Sequence, residues 1–132
     1  MSRPALSLLA LLAALFLAFA GCGGGGGPSS YTLEQTRACL GKQEGVKLSQ
    51  KVDFVASTAL GGAVSVLLER NEVTISFALD EQEVARLDAA YRRFKGKNIG
   101  IDDVLRPKQN AVLLWKAHPS DEEIDTVDGC LK

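Results

Sequence analysis

The spacing of apolar residues changes several times along this chain, and each change marks a different element. From Ala5 to Ala20 only Ser7 interrupts a continuous apolar run. Beyond Ser30 no run of that length recurs, and helical or alternating spacing takes over. Thr32-x-x-Gln35 has the capping-box pattern, in which the hydroxyl accepts from an unpaired helix amide and Gln35 reaches back. It predicts a helix over residues 33–40, with Gly41 as a left-handed cap just past its end. Val46, Leu48, Val52 and Phe54 sit at even spacing, interrupted by Gln50, which predicts an edge strand within 46–55. Residues 57–62 read as loop.

The clearest pattern follows. Val64, Val66 and Leu68 alternate, Arg70-Asn71 makes a short connection, and Val73, Ile75, Phe77 and Leu79 alternate again. That is a β-hairpin with one buried face. Asp80 and Glu83 mark a helix start, Val84, Leu87, Tyr91 and Phe94 recur at helical spacing, and Gly96 closes the helix. The order then repeats. Residues 101–105 and 111–116 read as strands around a turn containing Pro107 and Asn110. Ser120-x-x-Glu123 is another capping box, and Ile124, Val127 and Leu131 form the stripe of a last helix. Within 111–116, Val112 and Leu114 share one face while Leu113 and Trp115 share the other. An apolar run facing both ways marks a central strand, with Trp115 in the core.

These elements predict an α+β fold. It is a two-layer sandwich of a mainly antiparallel sheet, four to five strands with about three helices, in the order α-(β)-β-β-α-β-β-α. Asn71-x-Val73 and Asn110-x-Val112 lie 39 residues apart, and the caps at Asp80 and Ser120 lie 40 apart. A duplicated strand-strand-helix unit would make residues 63–95 superpose on 103–131. The preferred alternative is two independent capped helices, each following a hairpin.

The beginning of the chain has a different character. Met1-Ser2-Arg3 supplies a positive start to the apolar run, the pattern of a signal peptide. Sixteen residues at about 1.5 Å each give roughly 24 Å of helix, short of a hydrocarbon core about 30 Å thick. The segment Leu17-Ala18-Phe19-Ala20-Gly21-Cys22 resembles the bacterial lipobox, in which small residues precede a cysteine that receives a diacylglyceryl group. A thiolate is the nucleophile that accepts the lipid. Phe19 stands where that family usually has leucine, and Ala18-Phe19-Ala20 also fits an ordinary secretory cleavage site.

The resemblance covers residues 1–22 alone. It implies a signal peptide over 1–21, lipidation at Cys22, and attachment to the extracytoplasmic face of the cell membrane; ordinary cleavage would give a secreted soluble protein. Gly23 to Gly27 and Pro28-Ser29-Ser30 then complete a tether over 22–30, a flexible coil with a reach of roughly 15 Å. A single domain is expected over 31–132. If Cys22 carries lipid, Cys39 and Cys130 remain as an even pair in an oxidising compartment. A disulfide between them would tie the first helix to the last. A redox or metal pair is the alternative, but Cys-x-x-Cys spacing and a histidine cluster are missing.

Composition narrows the function. The chain has 15 Lys+Arg and 16 Asp+Glu. Arg3 is the one charge in the leader, so the remainder carries 14 basic against 16 acidic residues, a net −2. Nucleic-acid binders carry a basic excess, so none is expected as a partner. His118 is the sole histidine, and as a general base it would need an oriented partner and a nucleophile. It reads as a solvated turn residue beside Pro119. Gly61-Gly62 precedes a strand, whereas a phosphate-cradling loop needs a helix amino terminus behind it. Asp121, Glu122, Glu123, Asp125 and Asp128 lack calcium-loop spacing, and the helix dipole accounts for the first three. Asp102-Asp103, as strand neighbours, would point to opposite faces.

No metal, cofactor or catalytic residue is assigned. Arg92, Arg93, Lys95 and Lys97 form a basic cluster near a helix end, suited to the dipole and to anionic headgroups. The expected function is a membrane-anchored envelope lipoprotein with a non-catalytic binding or structural module and an envelope protein as partner. The alternative is a small extracytoplasmic ligand-binding protein or hydrolase, favoured by a deep pocket holding His118 with Asp102 or Asp103.

Overall fold

The computed structural model describes residues 30–95 and 100–132. The first half contains helix α1 (Leu33–Leu40), strands β1 (Lys47–Ser49), β2 (Ala63–Leu67) and β3 (Glu72–Phe77), and helix α2 (Glu81–Lys95). The second contains a single helical turn α3 (Ile101–Val104), strands β4 (Leu105–Lys108) and β5 (Ala111–Trp115), and helix α4 (Asp121–Asp128). The five strands form one antiparallel sheet in the order β1-β2-β3-β5-β4. The α+β class and the antiparallel sheet are those the patterning predicts.

Alternation sorts the strand residues onto two faces. Val64, Val66, Val73, Ile75, Phe77, Ala111, Leu113 and Trp115 share the first. Leu40 of α1, Val127 of α4, and Cys130 and Leu131, which lie past the end of that helix and not in its stripe, close over it. Trp115, 2 % exposed, is core. The second face carries Leu105, Val112 and Leu114, covered by Leu87 and Tyr91 of α2 together with Val55 and Ala78. Burying each such large side chain is worth about 1.5–3 kcal/mol. The expected two layers, sheet and helices, thus gain a third. The reason lies in β5, which is apolar on both sides and needs a cover on each.

Several local expectations are corrected. Gly41 is right-handed (φ −65), its N–H bonded to the Arg37 carbonyl. The chain makes further turns through Lys42 and Gln43, and positive φ comes later, at Gly45 (φ 76). The edge strand within 46–55 is three residues long, and Val52 and Phe54 lie in the loop beyond it. Residues 101–104 form a helical turn entered from left-handed Gly100 (φ 104), so the fourth strand begins at Leu105. Pro107 sits within β4, where an edge strand tolerates a residue with no N–H. Phe94, expected in the core stripe, is 67 % exposed. It packs instead edge to face against Phe54 of the loop after β1. Gly96, the expected end of that helix, lies outside the described residues.

The duplication fails on handedness. In the order β2-β3-β5-β4 the two hairpins are related by a two-fold perpendicular to the sheet, which preserves its faces. Yet α2 covers one face and α4 the other. The two strand-strand-helix units are therefore of opposite hand, and no rotation superposes them.

Candidate functional site

The second face includes one end of the central strands β3 and β5, around Glu72 and Leu114. There an open cleft of about 490 Å³ lies between the loop after β1 and the turn α3. Lys51, Val52 and Asp53 form one wall, Gly100, Ile101 and Val104 the other, with Thr74, Leu114 and Glu72 on the sheet beneath. Lys116, just past β5, completes the rim.

Each carboxylate in the cleft is held by a buried partner. Ser65, opposite Thr74 in the hairpin register, donates its hydroxyl to Glu72 Oε1 at 2.6 Å. Lys116 Nζ stands 3.9 Å from the other Glu72 oxygen. Asp53 caps a 3₁₀ turn (Ala56–Thr58) by accepting from the Ala56 N–H at 3.0 Å. It also accepts from the hydroxyl of fully buried Tyr91 at 3.0 Å. Burial, reinforced by the Asp53 carboxylate, pushes the Tyr91 phenol well above its ordinary range, so it remains protonated and a donor. Beside Tyr91, the buried Ser76 Oγ has no hydrogen-bond partner among the described residues.

The cleft therefore presents two fixed carboxylates and two lysines around Thr74 and the apolar side chains of Leu114, Ile101 and Val104. That arrangement can pair with a small molecule carrying both charges. Thr74 is the sole hydroxyl among the described lining residues, which also carry the Asp53 and Glu72 carboxylates and the Lys51 and Lys116 amines.

His118 lies elsewhere. Its Nδ1 meets Asp103 Oδ1 at 2.7 Å and Oδ2 at 2.8 Å, joining α3 to the loop before α4. Both side chains are largely in solvent, His118 at 69 % and Asp103 at 46 %. A second hollow, of about 590 Å³, includes His118, Arg70, Asn71, Glu122 and Glu123 but not Asp102 or Asp103. The hydroxyl of Ser120, also there, caps α4 by accepting from the Glu123 N–H. The deep pocket that would mark a hydrolase around His118 is thus not formed by these residues. Asp102 and Asp103 belong to a helical turn, not a strand. Glu123 is fixed by the Ser120 N–H and the Asn71 amide, and Asp128 by Lys108 at 2.6 Å.

The basic cluster divides. Arg92 is bonded to Asp88 at 2.8 Å and to Asp102 at 2.5 Å, carboxylates that push its guanidinium further up and offset its charge. Arg93 is exposed. Lys95 ends α2, its side chain outside the described part, and Lys97 and Cys22 lie outside the described residues. Cys39 and Cys130 form a disulfide across 91 residues of chain. Among the described residues no helix is long and apolar enough to cross a membrane.

Sequence reasoning missed the cleft. Its charged residues come from three segments, at 51–53, at Glu72 and at Lys116, with no motif spacing. A faint signal existed in Glu72, Thr74 and Ser76, a polar row alternating with Val73, Ile75 and Phe77. Compared with protein-family models, with curated proteins and with solved structures, the chain matches none.

Proposed function

We propose that this is a lipid-anchored protein of the bacterial cell envelope, held at Cys22 and carrying a small non-catalytic binding module for an envelope partner. The observation that carries the reading is the Cys39–Cys130 disulfide. Such bonds persist in oxidising compartments, the destination that the leader and the lipobox-like Ala20-Gly21-Cys22 also imply. The His118–Asp103 pair, with both side chains exposed to solvent, favours binding over bond-breaking. Metabolic labelling with palmitate in an expressing bacterium tests the anchor. Label on the wild type, lost with Cys22→Ala, is expected; an unlabelled wild type overturns it. Crosslinking from the envelope should then recover one recurrent partner.

A second reading rests on the cleft itself. Lys51, Asp53, Glu72 and Lys116 surround a volume suited to one small zwitterion. Shifts of the Thr74 and Leu114 resonances on titration with free amino acids would favour it; unmoved resonances would leave the partner-binding module.

A further inference from the structure

Four of the large apolar side chains that this fold leaves in water lie along one surface. They are Phe54 (75 % exposed), Leu60 (72 %), Leu79 (69 %) and Phe94 (67 %). The backbone N–H groups of Leu60 and Leu79 both donate to the Glu83 carboxylate, at 2.6 and 2.8 Å, which fixes both residues at the first turn of α2. Phe54 and Phe94 meet edge to face, ring centroids 6.4 Å apart, at its last turn. Between them Arg86 is held in place, bonded to the Thr58 carbonyl at 3.0 Å and hydroxyl at 3.1 Å and paired with the Glu83 carboxylate at 3.3 Å. The loop 54–60 therefore runs alongside α2, and the apolar residues mark both ends of a strip about 17 Å long. Arg86 and Arg93 are exposed on the same helix.

Exposed aromatic and leucine side chains beside arginines form the composition of a surface that settles into a headgroup layer. The entry point of the chain favours a bilayer over a protein as its occupant. The Tyr31 N–H and carbonyl are both bonded to the Asn110 side chain, which also holds the Ala78 carbonyl. The 29 residues that precede the described part thus join the domain beside Leu79, at one end of the strip. We propose that this strip docks on an anionic bilayer, with Phe54 and Phe94 entering the headgroup–acyl boundary and Arg93 on a lipid phosphate. The placement of a membrane near Tyr31 rests on the anchor at Cys22; the chemistry of the strip does not. The acidic residues Asp80 and Glu81 lie at the helix start, where its dipole favours them.

The sheet, both cores and the disulfide close among residues 30–132, so the chain from residue 22 onward, with Cys22→Ala, holds the whole described fold. Its co-sedimentation with phosphatidylcholine vesicles containing a minority of phosphatidylglycerol tests the proposal. Phe54→Ser with Phe94→Ser should weaken partitioning about tenfold while leaving the far-ultraviolet dichroism unchanged. Arg93→Gln should weaken it roughly fivefold on these vesicles and little on pure phosphatidylcholine. A wild type that stays in the supernatant overturns the proposal, as does a phenylalanine variant that sediments equally. Self-association in solution that depends on Phe54 and Phe94, without vesicle binding, also overturns it and assigns the strip to a protein partner. Palmitate labelling is read separately, so a failed anchor and a failed docking surface are distinguishable.

Discussion

Asn110 joins three parts of the chain. Its side chain accepts from the Tyr31 N–H at 2.8 Å and donates to the Tyr31 and Ala78 carbonyls at 2.9 and 3.0 Å. Asn110→Ala strands one donor and two acceptors that are half-buried, at a cost of about 2–3 kcal/mol. The thermal midpoint should fall by about 10–20 °C for a domain of this size. Gly61 is constrained more simply, since a Cβ there would lie 2.5 Å from the Phe77 carbonyl oxygen. Gly61→Ala should cost about 1–3 kcal/mol in urea denaturation. Glu123 adds a pH dependence. Desolvation raises its pKa, but the Ser120 N–H, the Asn71 amide and Arg70 outweigh that and hold it below its ordinary 4.5. A depressed pKa contributes stability that is present above the unfolded value and lost as pH falls through the folded one. Glu123→Gln should therefore lower the urea midpoint at neutral pH, and the difference should shrink as pH falls below 4.5. Sequence placed Asn110 in a turn and Glu123 in a cap, both correctly. The bonds from Asn110 to Tyr31, 79 residues away, leave no local pattern.

Helix starts were legible because capping chemistry is local. The Ser120 box forms in full, and Ser120→Ala should cost about 1 kcal/mol by thermal denaturation. At α1 the Thr32 hydroxyl does accept from the Gln35 N–H. The Thr32 N–H, however, goes to the Lys132 carbonyl, a partner that no local pattern could announce. The hairpin of β2 and β3 was equally legible from strict alternation over two adjacent runs. The segment 101–105 was not, since Ile101, Val104 and Leu105 fit a helical turn as well as a strand, and left-handed Gly100 decides between them. The cleft and the apolar strip depend on which loops flank α2. Tertiary packing fixes that relation, so neither could be read from spacing.

Across the whole molecule, the disulfide joins the end of α1 to the residue two past α4, closing nearly the entire domain into one loop. Loop closure over 91 residues is worth about 4–5 kcal/mol in the chain-entropy account. A domain of this size has about 5–15 kcal/mol in total. Cys39→Ala with Cys130→Ala should thus leave a fold that melts far lower but keeps both cores, as near-ultraviolet dichroism of Trp115 would report. The same bond, with the leader before it, makes extracytoplasmic attachment at Cys22 the central claim. The most direct test is the intact mass of the chain recovered from the membrane fraction of an expressing bacterium. A species beginning at Cys22, heavier by its acyl chains and gaining two protons on reduction, is predicted. A chain that keeps Met1, or one that begins at Gly21 in the soluble fraction with Cys22 unmodified, would contradict it.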